Sequence, residues 1–535
     1  MRFKKIYMWT AILLCLLSIA LHFYRIRTIP PGLSIDEAAV LYNAYCIAET
    51  GADEHGKILP LYFESFGDYK NPLKIYLTVP VLKIMGFCSE APRIISSLFH
   101  LLASFAFYFL LRSQSRNKWI CLSGAFIFSV LPWVLPLSRV GLGFTIMLFM
   151  YIAGWYCLNM MFRGNKNTFA ILSGFFIGMA FYSSHVGRMA SPMFILLLFI
   201  SYNRLLIKRY RQIIAFLAAY SMVLLPFLVS FLANTEMMNR FYHVNLFSAP
   251  NSSQFSILEM PSRYLSYFGY DFLFFTGDGT LRHNIGTGEL FLFLIPLILF
   301  GIYQVLRTAM KNPNARFLAI SFLFYPIAAI ITTGEINCTR TMQGSVIWML
   351  ISMLGLAYLW SHKKKYEILI AIVLIFGTIE IPYYFYNYFY IYPERPETRF
   401  AFFAPFTDAF KEAFSSLGTN ETLYISKTVS PLPINIRNFN EKFHDDFYIY
   451  LLVYGKLAPS AYQENGISGD NFSIYEGRIK KSGMLITSDS FLIFKPGGQY
   501  ELCKNIEPIP DGALLLKEIQ VNPYKKLLVY KLKQP

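Results

Sequence analysis

The sequence predicts an α-helical polytopic membrane protein with about eleven spanning helices and a C-terminal soluble α/β domain. The first observation is composition: of 535 residues, 55% are hydrophobic and only 15% charged, and the mean hydropathy is +0.42. The second is a series of apolar runs near bilayer length, and the third is a change to mixed composition after about residue 390. A soluble multi-domain protein does not bury so large an apolar fraction, so the bilayer must be part of the solvent.

Eleven apolar runs predict the spanning helices, and each is long enough, or nearly so, to cross the hydrocarbon core. They lie at about 7–24, 93–111, 119–137, 142–162, 168–184, 189–203, 212–232, 288–306, 317–332, 341–360 and 367–386.

The charges between these runs predict the orientation. With a cytoplasmic N-terminus, the short inner loops carry clusters of Lys and Arg and no Asp or Glu, whereas the acidic residues of the membrane portion fall in segments on the other side. Cytoplasmic loops of membrane proteins are enriched in Lys and Arg. The net charge of +16 therefore mainly reflects the orientation of the chain in the membrane, where its partners are membrane lipids. We therefore expect no nucleic-acid partner.

The large segments all lie on the outer side in this topology. They are the first outer loop, 25–92, a second loop at 233–287, and everything after about 390. We expect a transmembrane domain over 1–390 and an extracytoplasmic domain over 391–535, which contains a helix-like stretch at 403–416. Strand-like stretches of that domain lie at 422–426, 483–487 and 526–531.

The first outer loop contains two amphipathic stretches, Asp36 to Thr50 and Pro72 to Gly86, each long enough for a helix on the membrane surface. Asp36 and Glu37 open the first stretch. Taken alone, this acidic pair is explained by the preference of helix N-termini for carboxylates.

The surrounding motifs change that interpretation. The segments Pro30-Pro-Gly-Leu-Ser-Ile-Asp-Glu37, Gly51-Ala-Asp-Glu-His-Gly56, Phe66-Gly-Asp-Tyr-Lys-Asn-Pro-Leu73 and Ala91-Pro-Arg93 resemble the first outer loop of GT-C glycosyltransferases. More narrowly, they resemble bacterial members of glycosyltransferase family 39, related to the protein O-mannosyltransferases and the aminoarabinose transferase. The resemblance extends to Tyr182-Ser-Ser-His-Val-Gly-Arg188, Gly277-Asp278 and Arg340. It implies a GT-C fold in a bacterial plasma membrane.

The resemblance also implies the chemistry: a polyprenyl-phosphate-linked sugar donor and an extracytoplasmic acceptor, which is a protein, a lipid or a cell-wall glycan. Asp36 is then the base that takes the acceptor's proton in an inverting single displacement, and Glu37 orients Asp36 or the acceptor. Lys70 matches a lysine–proline motif and is the first candidate to bind the carrier phosphate, with Asp68 beside it. Lys74 and Lys83 fit contact with lipid head groups better than contact with the carrier phosphate.

Further candidates lie at the outer ends of spans. Arg139, Arg188 and Arg340 are candidates for the carrier phosphate, although arginines at such positions often snorkel to the interface. His185 is a supporting candidate, although a packed, hydrogen-bonded histidine explains it better.

One departure from the family concerns the stretch after Arg139, where related enzymes often have an acidic residue and this chain has Val140-Gly-Leu-Gly-Phe-Thr145. If that carboxylate binds metal or acceptor in relatives, Asp278 or Glu335 is the candidate replacement here. The sequence predicts no definite cofactor and leaves a divalent cation open.

Two other functions stay open. A lipid-linked sugar flippase or other transporter would use similar arginines, but would place charged or broken positions deep in several spans. A non-catalytic envelope scaffold that binds glycan is the other alternative, and the missing acidic residue after Arg139 favours it.

Overall fold

The apolar runs fold as the helices of a bundle in the computed structural model of the chain. The structure describes residues 2–164, 166–233, 257–332, 335–418, 421–426, 429, 434–435, 443–465, 472–475, 481–494, 500–505, 508–522 and 525–533. Part of the predicted second outer loop, residues 234–256, therefore lies outside the described residues.

The helices up to Ala233 are, in chain order, α1 (Arg2–Phe23), α2 (Ile35–Thr50), α3 (Pro72–Met85), α4 (Ala91–Arg112), α5 (Lys118–Ser129), α6 (Leu135–Ser138), α7 (Phe144–Gly164), α8 (Asn167–Ser183), α9 (His185–Lys208) and α10 (Tyr210–Ala233). The later helices are α11 (Met260–Ser266), α12 (Ile295–Ala309), α13 (Pro313–Phe324), α14 (Ile327–Ile330), α15 (Met342–Ser361), α16 (Lys363–Tyr386), α17 (Pro396–Ala401), α18 (Ala404–Ser416), α19 (Phe443–Tyr454) and α20 (Pro459–Asn465).

The prediction of a helical membrane protein is confirmed. In the described part of the chain, nine helical segments are long and apolar enough to cross a membrane, and two of the eleven predicted spans, α5 and α8, form shorter apolar helices. The helix predicted at 119–137 ends at Ser129, because Pro132 lacks the N–H that a continuing helix needs, and a separate short helix, α6, follows with Pro136 in its first turn.

Close helix packing in the bundle depends on small residues. A Cβ on Gly355 of α15 would lie 1.8 Å from the carbonyl oxygen of Leu297, and one on Gly301 of α12 would lie 2.0 Å from that of Ile351. The two helices therefore approach at a distance that only glycine allows, as is common where membrane helices pack.

The first outer loop forms α2, α3 and, between them, a short antiparallel hairpin of β1 (Phe63–Ser65) and β2 (Asp68–Lys70). The helices predicted for the two amphipathic stretches are confirmed. Ser34 caps α2 in a capping box, because its hydroxyl accepts the backbone N–H of Glu37 and its own N–H donates to the Glu37 carboxylate.

The C-terminal part forms a sheet region, as predicted. Its strands are β3 (Thr422–Ser426), β4 (Ile434–Asn435), β5 (Phe472–Tyr475), β6 (Gly483–Ser488), β7 (Ser490–Phe494), β8 (Tyr500–Lys504), β9 (Leu514–Asn522) and β10 (Lys525–Leu532). One sheet has the order β5-β3-β6-β10-β9, with β3 parallel to β5 and β6 and with β10 antiparallel to its neighbours. The other has the order β4-β7-β8.

The C-terminal region packs directly on the first outer loop. One hydrophobic core contains residues of α2 and α3 together with residues of α18, α19, β3, β6 and β10. The hydroxyl of Tyr450 in α19 donates to the carbonyl oxygen of Leu33 at 2.6 Å, and the Tyr448 hydroxyl donates to the buried carboxylate of Glu54 at 3.2 Å. The loop is therefore held between the helix bundle and the C-terminal region.

Candidate functional site

A pocket of about 100 Å³ opens between the first outer loop and the nearby ends of α7, α8 and α9. Residues of four segments line it, namely Asp36, Val40, Lys70, Asn71, Lys74, Leu142, Gly143, Phe144, Ser183, Ser184 and His185. Three predicted site residues, Asp36, Lys70 and His185, thus meet in one cavity.

Asp36 and Lys70 form the charged edge of this pocket. The ammonium of Lys70 donates to the Asp36 carboxylate at 2.5 Å, although the two residues are 34 positions apart in the chain. Asp36 projects from the first turn of α2 and its side chain is 40% exposed, whereas Lys70 ends β2 and is 12% exposed. The Asp68 carboxylate lies 3.9 Å from the same ammonium. An exposed carboxylate is therefore held against a nearly buried cation.

Glu37 has a different environment. Its side chain is fully buried and bonds Arg93 at 2.9 Å, while the backbone N–H of Gly141 donates to the same carboxylate oxygen at 2.9 Å. Arg93 in turn donates to the carbonyl oxygens of Pro30 and Gly32. Burial favours a higher pKa for Glu37, but the Arg93 charge and these hydrogen bonds outweigh it and hold the pKa below its ordinary value. A buried, fully bonded Glu37 does not reach an acceptor directly.

Lys74 is a pocket residue that the sequence interpretation missed. Its side chain is 2% exposed, and its ammonium donates to the carbonyl oxygen of Pro92 and to the Ser96 hydroxyl. The expected contact with lipid head groups is therefore wrong for Lys74, whereas Lys83 at the other end of α3 is exposed. Burial lowers the pKa of Lys74 well below its ordinary value. The one available signal is its position in the first turn of α3, close in the chain to Lys70.

His185 and Arg188 lie beside the pocket at the start of α9, which the Ser184 hydroxyl caps. The guanidinium of Arg188 donates to the Asn71 side chain at 3.2 Å and stacks over the Tyr62 ring at 4.8 Å. Because Asn71 follows Lys70 directly, Arg188 adds positive charge close to the Asp36–Lys70 pair.

Arg139 does not reach this pocket. Its side chain is completely buried and donates to four backbone carbonyl oxygens. Those of Leu21 and His22 lie in the last turn of α1, and those of Tyr24 and Ile29 follow the helix. The guanidinium thus satisfies backbone oxygens that the end of a helix leaves without partners. This is a correction to the expected phosphate contact, since a group committed to four carbonyls inside the protein is not available to a carrier.

The remaining candidates also lie away from the lining of the pocket. Arg340 donates to the Thr332 hydroxyl at 2.6 Å, and Asp278 accepts a hydrogen bond from His283 at 2.7 Å. Glu335 is exposed. The acidic replacement expected from Asp278 or Glu335 is therefore not part of the pocket, whose only lining carboxylate among the described residues is Asp36. One carboxylate facing two lysines is a poor ligand set for Mg²⁺ or Ca²⁺.

Comparisons with known proteins identify the fold. No protein-family model and no curated protein matches the sequence. The oligosaccharyltransferase of Archaeoglobus fulgidus, crystallised with a tethered acceptor peptide, has a TM-score of 0.54 at 12% identity, over 95% of this chain and 75% of that one. ArnT from Cupriavidus metallidurans bound to undecaprenyl phosphate has a TM-score of 0.52 at 12% identity, over 100% and 99% of the two chains. The apo form of ArnT has a TM-score of 0.53 at 11% identity, over 98% of this chain and 99% of that one. At these identities the likeness is one of fold, and the GT-C fold implied by the sequence motifs is confirmed.

Proposed function

We propose that this GT-C-fold membrane protein is a glycosyltransferase that moves a sugar from a polyprenyl phosphate carrier to an extracytoplasmic acceptor. The observation that carries the proposal is the Asp36–Lys70 pair at the edge of a pocket built on the first outer loop. It combines a base for the acceptor and a cation for the carrier phosphate within one hydrogen bond of each other.

The likeness in fold supports the class of donor. ArnT was crystallised with undecaprenyl phosphate, and its fold extends over the whole of this chain. The basic loops of the sequence support an orientation with a cytoplasmic N-terminus and with the pocket on the outer side of the membrane. A soluble nucleotide sugar is not supplied there, whereas a lipid-linked sugar is delivered within the outer leaflet.

The chemistry is a single displacement. The acceptor hydroxyl oxygen bonds to the anomeric carbon as the bond from that carbon to the phosphate oxygen breaks, and Asp36 takes the hydroxyl proton. The bonding electrons leave with the polyprenyl phosphate, and the configuration at the anomeric carbon is inverted.

Lys70 stabilises the departing phosphate in this scheme. Its ammonium is bonded to Asp36, so an arriving phosphate competes for that cation and releases the carboxylate to act as a base. Arg188 supplies a second positive group through its position beside Asn71. Glu37 acts as a positioning residue, because its pairing with Arg93 fixes the first turn of α2 on which Asp36 is carried.

A transfer assay tests the proposal. Purified full-length protein in lipid nanodiscs is incubated with radiolabelled polyprenyl-phosphate sugars and with protein, lipid and cell-wall acceptors. We expect transfer by the wild type with at least one pair, and a kcat lower by about 10²- to 10⁴-fold for Asp36→Asn, the usual range for loss of a general base.

The matched control is Asp271→Asn, which removes another exposed aspartate from the outer segments. It should transfer sugar at the wild-type rate. Undiminished turnover by Asp36→Asn would contradict the assignment of the base. Saturable binding of the carrier lipid without transfer by any protein would contradict the enzyme and favour the transporter or the scaffold.

A further inference from the structure

Three side chains with metal-binding atoms converge outside the pocket. Asp278 and His283 lie in the segment between a π-helical turn at Asp271–Phe275 and α12, and Cys338 opens a 3₁₀ turn, Cys338–Thr341, that leads into α15. A carboxylate oxygen, a ring nitrogen and a sulfur of these residues lie within 4.8 Å of one another. Two segments that are far apart in the chain are thus joined by a mixed set of oxygen, nitrogen and sulfur atoms.

The hydrogen bonds of the cluster orient it. Oδ2 of Asp278 lies 2.7 Å from Nδ1 of His283 and accepts the backbone N–H of Cys338 at 3.0 Å. Its other oxygen accepts the N–H of Thr280 at 2.9 Å. Asp278 and Cys338 are buried, at 5% and 0% exposure, and the His283 side chain is 16% exposed. The three groups are therefore held in place, with an approach from solvent past the histidine.

Glu289 supplies a second, independent observation. Its side chain is fully buried, and its Oε2 has no hydrogen-bond partner among the residues that the structure describes. Its Oε1 accepts from the Asn284 amide at 3.2 Å. The charges of Glu289 and Asp278 interact, so this acid lies close to the cluster, and a buried carboxyl oxygen without a hydrogen-bond partner is unfavourable there.

The geometry points to a metal site formed by Asp278, His283 and Cys338, which takes a divalent transition-metal ion of the zinc class. A thiolate together with an imidazole selects zinc or a related ion over Mg²⁺ and Ca²⁺, which prefer oxygen ligands only. Bonds of about 2.0–2.3 Å in a tetrahedral arrangement need ligand separations of roughly 3.3–3.7 Å. The Asp278–His283 pair therefore opens by roughly half an ångström to admit the ion.

Charge balance is consistent with such an ion. Binding displaces the thiol proton of Cys338, so the thiolate and the Asp278 carboxylate together neutralise the two charges of the metal. The fourth position would be open to a water, since tetrahedral sites with three protein ligands keep one open position. The site would tie the 271–289 segment to the start of α15.

This site is separate from the Asp36 pocket, since none of its three residues lines that cavity. The inference therefore does not rest on glycosyl transfer. A metal that joins these segments has a structural effect whether or not the protein moves a sugar.

Cobalt substitution tests the inference without an activity assay. Full-length protein purified in detergent without a polyhistidine tag is stripped with a chelator and titrated with Co²⁺. We expect saturation at about one ion per chain and a thiolate-to-cobalt charge-transfer band, with competition by Zn²⁺. Metal analysis of unstripped protein should give close to the same stoichiometry.

Variants separate this site from adventitious binding. Cys338→Ser should abolish the charge-transfer band, and His283→Ala should lower the cobalt affinity by about tenfold or more. The control is Cys121→Ser, which replaces a buried cysteine of α5 and should bind cobalt as the wild type does. An unchanged band in Cys338→Ser would overturn the inference. The absence of cobalt uptake by the wild-type protein would also overturn it, because the cluster would then be an Asp–His hydrogen bond only. This second result does not depend on whether any variant folds.

Discussion

Asp36 and Glu37 are chain neighbours with opposite roles in the structure. Asp36 faces a pocket, with 40% of its side chain exposed, and pairs with the ammonium at the end of a flexible lysine side chain. Glu37 points into the protein and joins α2 to α4 and to the 139–143 segment through Arg93 and Gly141. Successive positions of a helix point about 100° apart, so one residue can reach a ligand while the next anchors the helix. The pair therefore combines a reactive group with the support that fixes its position.

The largest effect that separates the two carboxylates should be on stability. Glu37→Gln leaves the buried guanidinium of Arg93 without a counter-charge, and breaking a buried ion pair in this way costs about 3–5 kcal/mol. Asp36→Asn breaks a partly exposed pair and should cost less than about 1 kcal/mol. The free energy of unfolding in a detergent titration measures both. Equal losses would remove the distinction between an anchor and a reactive group.

A smaller effect should appear in carrier binding. Lys70→Ala removes a charge-assisted hydrogen bond worth about 1.5–3 kcal/mol, so the Kd for polyprenyl phosphate should rise about 10- to 150-fold. Lys83→Ala, which removes an exposed lysine at the end of α3, is the matched control and should change the Kd less than about twofold. Fluorescence titration with the carrier lipid measures this. A Kd that is the same in both variants would exclude Lys70 from the phosphate site.

The smallest effect concerns acid. The pKa of Glu37 in the folded protein lies below its ordinary value of 4.5. The contribution of the ionised carboxylate to stability is therefore fully present above pH 4.5 and is lost as the pH falls through the folded-state pKa. The difference in Tm between the wild type and Glu37→Gln should therefore be constant above about pH 5 and shrink below 4.5. A difference that grew on acidification would show that Glu37 is not ionised in the folded protein.

The motifs of the first outer loop single out Asp36 and Lys70, but they do not reveal the partner of Glu37. The Ser34-x-x-Glu37 spacing is a capping-box pattern and indicates that Glu37 turns back toward the chain. No comparable signal exists for Arg139. An arginine near a predicted interface can snorkel, bind phosphate or cap a helix, and only the position of the end of α1 decides among these.

The arrangement of the C-terminal region could not be predicted from the sequence either. Its helix at 404–416 and the strands near 422, 483 and 526 follow from local patterns, and these elements are present. Local patterns do not reveal that the core of this region includes α2 and α3, because the apolar faces of a loop helix and of a sheet carry no information about which partner covers them.

By itself the sequence determined the membrane class, the apolar helices, three strands of the C-terminal region, and the acidic and basic residues of the first outer loop, because hydropathy and local periodicity act over one element at a time. Only the tertiary structure decided which charges meet. The ion pair of Asp36 with Lys70, the burial of Glu37, Lys74 and Arg139, and the meeting of Asp278 with Cys338 all depend on residues 18 to 118 positions apart. Such contacts are set by how helices pack and which backbone oxygens need donors, and these properties belong to the folded chain.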